Sequence, residues 1–114
     1  MHEIGLARTL FHQVRRIWLQ HPGTAISQVN VEVGPLSGVE PLQLIDAFRE
    51  LTATESGNPI PLVVQQVPLT AICQECGIEV EVQDFRFVCP RCGNRQLSEV
   101  QGDCVKLMSV DLSQ

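Results

Sequence analysis

Four of the five cysteines fall in two matched steps, Cys73-Gln74-Glu75-Cys76-Gly77 and Cys89-Pro90-Arg91-Cys92-Gly93, with twelve residues between Cys76 and Cys89. Two residues between cysteines let one tight turn aim both sulfurs at a single ion. Two such steps therefore describe a tetrathiolate metal site formed by Cys73, Cys76, Cys89 and Cys92, with zinc as the leading occupant. Iron in a rubredoxin-like setting fits the same ligands, because soft thiolates accept both metals. A redox dithiol or disulfides are the bland alternatives, which a single pair would leave open and two knuckled pairs at this separation make minor. Gly77 and Gly93 stand where each turn needs a positive φ, and Pro90 presets φ in the second turn. A closed four-sulfur site has no open coordination position, so its role is structural and the chemistry lies elsewhere.

The first three residues, Met1-His2-Glu3, form the other candidate. Histidine is too large for the usual trimming of an initiator methionine, so Met1 is expected to remain. The Met1 amine, the His2 amide nitrogen and the His2 imidazole can then close adjacent five- and six-membered chelate rings. Such a planar nitrogen-rich set suits Ni(II) or Cu(II) better than zinc. The amide or the carboxylate of Glu3 is available as a fourth donor. The first amides of a helix have no intrahelical acceptor, so ligation there breaks no backbone hydrogen bond. On the residues alone, a histidine at position two is more often a solvated terminus than a ligand, and spacing favours that blander reading.

No enzymatic constellation is visible. There is no glycine-rich phosphate loop, and the carboxylates are scattered, mostly on polar faces. His2, His12 and His21 are the only histidines, and none stands four residues from another. Cys104, the fifth cysteine, falls in a strand pattern and is expected to be a small buried or half-buried apolar residue.

The elements that must position these groups follow from periodicity. Ile4, Ala7, Leu10, Phe11, Val14, Ile17 and Trp18 recur at helical steps, and His21-Pro22-Gly23 stops the helix. Gln28 to Val33 alternates as a strand with one buried face. After the loop Gly34-Pro35-Leu36-Ser37-Gly38, Pro41 opens a second helix with Leu44, Ile45, Phe48 and Leu51 inward, closed by Gly57-Asn58-Pro59. Leu62 to Leu69 reads as a strand, with Pro68 marking an edge or exit. Within the cysteine module, Ile78 to Val82 alternates as a strand, and Phe85-Arg86-Phe87-Val88 reads as the returning one. Gly102-Asp103 reads as a turn, and Cys104 to Leu112 as the last strand. The expectation is an α+β fold. A small domain of two helices and a three-stranded sheet, residues 1–70 plus 102–114, carries an inserted zinc-ribbon module at 71–101.

The chain has 114 residues and a net charge of −5. A tetrathiolate around a divalent ion adds about −2 more. That sign is wrong for a phosphate backbone, and with four Phe, one Trp and no Tyr there is no base-stacking platform. Nucleic-acid binding is not expected. No signal peptide is apparent and no stretch reaches membrane-spanning length, so no membrane association is expected. The cysteine usage points to a reducing compartment and a cytoplasmic protein.

A chain of this length that opens Met1-His2-Glu3, contains Gly34-Pro35-Leu36-Ser37-Gly38-Val39-Glu40-Pro41, and carries both knuckles near its end resembles the HypA/HybF family of nickel metallochaperones. The likeness spans essentially the whole chain. It implies Ni(II) as transferred cargo at a site matching Met1, His2 and Glu3, and structural Zn(II) at Cys73, Cys76, Cys89 and Cys92. It implies cooperation with a HypB-type GTPase and delivery to the large-subunit precursor of a [NiFe]-hydrogenase, with urease maturation proteins as further partners in some relatives. The chain departs from relatives that carry a histidine beside the knuckles, since residues 71–101 contain none. The alternative from a different class is a zinc-ribbon interaction adaptor with an inert N-terminus. Neither reading is an enzyme.

Overall fold

The computed structural model describes residues 2–102 and 104–114, with Glu99, Val100 and Gln101 described in backbone only. The expected turn residue Asp103 thus lies outside the described residues. Among the described residues, two helices and six strands follow in the order α1 (His2–Trp18), β1 (Ala25–Val33), α2 (Pro41–Ser56), β2 (Leu62–Gln66), β3 (Thr70–Cys73), β4 (Glu79–Glu81), β5 (Leu97–Gln101) and β6 (Val105–Ser113). They form two three-stranded sheets, β2-β1-β6 and β4-β3-β5. The chain packs as two units, one of Met1–Glu32, Val39–Gln65 and Lys106–Gln114, the other of Val33–Gly38 and Gln66–Val105. The second unit thus takes in the cysteine-bounded stretch together with the loop at 33–38 and both flanking segments.

In the first unit, α1 buries Glu3, Ala7, Leu10, Phe11 and Val14. At 3.6 residues per turn, Glu3 falls near the centre of that arc and Ile4 falls at its edge. The expected inward position of Ile4 is therefore corrected: it is 52% exposed, and Glu3 occupies the buried place. The helix ends as Gly23 takes φ +83 and the Trp18 indole N–H donates to the Thr24 carbonyl at 2.7 Å. Helix α2 starts as its sequence requires. Glu40 is the N-cap, its carboxylate accepts from the Gln43 N–H at 3.1 Å, and Pro41 holds the first turn. Gly57, at φ 82, closes it by donating to the Ala53 carbonyl. Phe11 meets Phe48 edge to face with ring centroids 6.2 Å apart. Val29 and Val31 of β1 and Leu62 of β2 are buried in the same unit. On the opposite face of β1 from Val29 and Val31, Asn30 donates to Ser109 at 2.9 Å, and near the exposed start of the strand Ser27 donates to the Asp111 carbonyl at 3.0 Å.

In the second unit, β3 is the central strand. It pairs antiparallel with β4 (Ala71 opposite Val80) and with β5 (Cys73 opposite Leu97). Leu69, Ala71 and Val82, with Phe87 and Leu97 against them, make one small core, and Cys73, Val80 and Cys89 make the next. The strand expected at Phe85–Val88 is not formed. Asp84 and Phe85 take φ 52 and 58, and the Arg86 N–H returns to the Gln83 carbonyl at 2.9 Å. Two successive left-handed residues reverse the chain and break strand pairing. The strand that returns to β3 is instead β5, beyond the second knuckle.

Cys104 is corrected as well. It stands before β6 rather than within it, and its side chain is exposed. Among the described residues, no helix is long and apolar enough to cross a membrane.

Candidate metal centre

The two knuckles repeat one backbone design. In the first, the Cys73 N–H donates to Ile78 O at 3.0 Å and the Gly77 N–H to Cys73 O at 2.9 Å. In the second, the Cys89 N–H donates to Asn94 O and the Gly93 N–H to Cys89 O, both at 2.8 Å. Gly77 and Gly93, at φ 71 and 78, allow each turn to close, because a side chain is disfavoured there. The first knuckle joins β3 to β4, and the second leads into β5, which pairs with β3 on its other side. That pairing brings four sulfurs, separate in sequence, to one place.

The Sγ atoms of Cys73, Cys76, Cys89 and Cys92 all lie within 4.8 Å of one another. Cys73 Sγ and Cys92 Sγ are 3.6 Å apart. Sulfurs about 2.3 Å from a tetrahedral centre would stand roughly 3.8 Å apart, so the cluster fits such an ion. Cys73 and Cys89 are buried, Cys76 is half-buried and Cys92 is exposed. The Cys76 N–H, 3.4 Å from Cys73 Sγ, is the main cause of a Cys73 thiol held at about 7. The Cys92 sulfur beside Cys76, and then burial, push the Cys76 thiol up to about 12. One thiolate forms readily here and a second beside it is opposed. A divalent cation removes that opposition, so the four cysteines could hold a metal ion. Asn94, whose amide lies 3.9 Å from Cys73 Sγ, was not legible in advance, although its place directly after Cys-Gly was a usable signal.

At the other candidate, Met1 lies outside the described residues. His2 is exposed in the first turn of α1. Glu3 turns the opposite way. It is 8% exposed, and its Oε2 accepts the Glu40 N–H at 3.1 Å. That N–H, followed by the N–H of Glu3 itself, holds the Glu3 carboxyl below the usual carboxylate range. Glu40 is a residue that sequence reasoning placed only within a loop motif.

An α+β protein with two helices, and with a four-cysteine ribbon whose strands fall in sequence between β2 and β6 of another small sheet, is the class that this fold and site define. Over residues 1–112 the chain matches the family described as hydrogenase/urease nickel incorporation, metallochaperone, HypA. It is 33% identical over 112 residues to the hydrogenase maturation factor HypA of Nitrosospira multiformis, covering 98% of this chain and 97% of that one. To the factor of the same name from Shewanella baltica it is 30% identical over 114 residues, covering 100% and 97%. The solution structure of the Ni metallochaperone HypA from Helicobacter pylori superposes with a TM-score of 0.67 at 16% identity, over 96% of each chain. A second HypA solution structure gives 0.70 at 20% identity, over 99% of this chain and 97% of that one. At those identities the structural likeness shows the fold. The chain belongs to the HypA family. It is a protein of hydrogenase maturation, in a family of nickel metallochaperones, and not an enzyme.

Proposed function

We propose that this chain binds Ni(II) at its N-terminus and delivers it, in the cytoplasm, to the large-subunit precursor of a [NiFe]-hydrogenase. The observation that carries the reading is an exposed His2 in the first turn of α1, in a chain that belongs to the HypA family over residues 1–112. The Met1 amine, the His2 amide nitrogen and the His2 imidazole form the chelate, and Glu3 stands beside them. First-turn amides have no intrahelical acceptor, so the backbone can ligate without unmaking the helix. An exposed site at a chain end lets an acceptor replace donors one at a time, so transfer is ligand exchange with no covalent catalysis. A HypB-type GTPase is the proposed partner in that transfer, and urease maturation proteins are further candidates.

Zn(II) is proposed at Cys73, Cys76, Cys89 and Cys92. The all-sulfur donor set and the mutual distances of the sulfurs support a closed tetrahedral site. When bound, the metal supplies the folding energy that a ribbon with two small cores lacks. The helical unit is the proposed nickel-handling part, and the ribbon the proposed docking part.

Calorimetric Ni(II) titration of untagged, zinc-loaded protein beside its His2→Ala variant tests the reading. Stoichiometric binding that is lost in the variant, and lost again when a tag precedes Met1 while zinc content is unchanged, is the expected result. Equal binding in wild type and variant would remove His2 from the site and favour the adaptor alternative.

A further inference from the structure

We infer that the Glu3 carboxylate serves the proposed nickel site from outside the coordination shell, as a latch that fixes the first turn of α1 to the residue before α2. This rests on the nickel reading above and specifies the part that Glu3 plays in it.

His2 and Glu3 are adjacent but face opposite environments. His2 is exposed, whereas Glu3 is 8% exposed and falls on the arc that also buries Ala7, Leu10, Phe11 and Val14. A carboxylate on an apolar arc is costly unless its oxygens are hydrogen-bonded. Here Oε2 takes the Glu40 N–H at 3.1 Å, a bond that spans 37 residues of chain. The carboxylate lies in the first turn of α1 and also meets the N-cap residue of α2. It therefore sits at the positive ends of two helix dipoles.

Glu40 is itself held firmly. Its carboxylate accepts from the Gln43 N–H at 3.1 Å, and its carbonyl accepts from the Leu44 N–H at 3.1 Å. The latch therefore closes on a rigid point. Bringing the Glu3 carboxylate onto nickel would require the side chain to leave the buried arc and abandon the Glu40 N–H. Keeping it in place costs nothing and anchors the backbone one residue after His2. A chelate built from consecutive nitrogens needs that backbone held in one geometry before the metal arrives. Groups that orient ligands without touching the metal are typically worth about 10–100-fold in affinity.

The test is Ni(II) titration and absorption spectroscopy of untagged, zinc-loaded wild type, Glu3→Gln and Glu3→Ala, with His2→Ala as the control for the site itself. Glutamine keeps a carbonyl acceptor for the Glu40 N–H but is a poor nickel donor. The latch predicts that Glu3→Gln keeps the wild-type ligand-field bands and an affinity within about fivefold, while Glu3→Ala weakens binding by about 10–100-fold. Bands that shift in Glu3→Gln, with affinity lost as in Glu3→Ala, would place the carboxylate on the metal and overturn the latch. Wild-type affinity in Glu3→Ala would overturn it equally. A wild-type protein that takes up no nickel, or a His2→Ala variant that binds as well, overturns the functional reading and the latch with it.

Discussion

Gly34 and Gly102 meet backbone to backbone. The Leu36 N–H donates to the Gly102 carbonyl at 2.7 Å and the Gly34 N–H to the Cys104 carbonyl at 3.1 Å, so a Cβ on Gly34 would overlap Gly102. Gly102 is confined in turn, at φ +110, with Leu69 Cα only 2.8 Å from where its own Cβ would stand. These two glycines let the loop at 33–38 lie against the segment that closes the cysteine unit.

Gly34→Ala is therefore expected to destabilise by about 2 kcal/mol or more, because backbone must shift to make room. Gly23, at φ +83 with open space around it, serves as the comparison. Gly23→Ala should cost only about 1–2 kcal/mol of left-handed strain. Urea unfolding of both variants in metal-loaded protein checks the order, and equal or reversed losses would contradict the close approach.

Thr52 ties the end of α2 to the chain that follows. Its buried hydroxyl donates to the Phe48 carbonyl and accepts the Ile60 N–H, both at 2.9 Å. Thr52→Val keeps the shape and strands the Ile60 N–H, at a cost of about 1–3 kcal/mol. Thr52→Ser keeps the hydroxyl and loses one methyl, so it should cost about 1 kcal/mol. Comparing denaturation midpoints decides the matter, since a valine variant no less stable than the serine one would mean that the hydroxyl is dispensable.

Cys73 is fully buried and its sulfur is the acceptor for both the Cys76 N–H and the Asn94 amide. Cys73→Ser should abolish metal retention and open the ribbon to protease, while the circular-dichroism signal of α1 and α2 persists. Structural zinc supplies about 10–16 kcal/mol of apparent binding energy in comparable modules, far more than the side chain's own packing. Full zinc occupancy together with unchanged protease resistance would count against the tetrathiolate.

Glu3 sets a pH dependence whose sign is determined. Its carboxyl is held below the usual carboxylate range, first by the Glu40 N–H. A depressed carboxyl contributes stability that is present at neutral pH and is lost only as pH falls through the folded value. In an NMR titration of the nickel-free protein, the Glu3 side chain and the Glu40 amide proton should move together, with a midpoint below the ordinary range. A midpoint at or above that range, or a silent Glu40 amide, would show that the bond does not persist in solution.

The parts of this protein that were legible in its sequence are those whose physics is local. The knuckles could be read because two-residue spacing and a following glycine are requirements of one turn. Helix α2 could be read from Pro41 and Gly57, and β1 from strict alternation that the burial of Val29 and Val31 bears out. Phe85–Val88 looked like a strand because its residues suit one, yet Asp84 and Phe85 adopt left-handed backbone and the pairing passes to β5. Cys104 looked buried because it adjoins an alternating strand, and it is exposed because that strand begins one residue later.

The Cys-x-x-Cys-Gly spacings and the Met1-His2-Glu3 opening are properties of the sequence alone, and they named both candidate metal sites. Only the tertiary structure decided that β5 would carry the second knuckle to the first and gather four sulfurs within 4.8 Å. It alone turned Glu3 inward to meet Glu40. Turn chemistry acts over a few residues and leaves its mark on composition. Strand pairing and a hydrogen bond spanning 37 residues depend on which surfaces the folded chain brings together, and no local pattern encodes that.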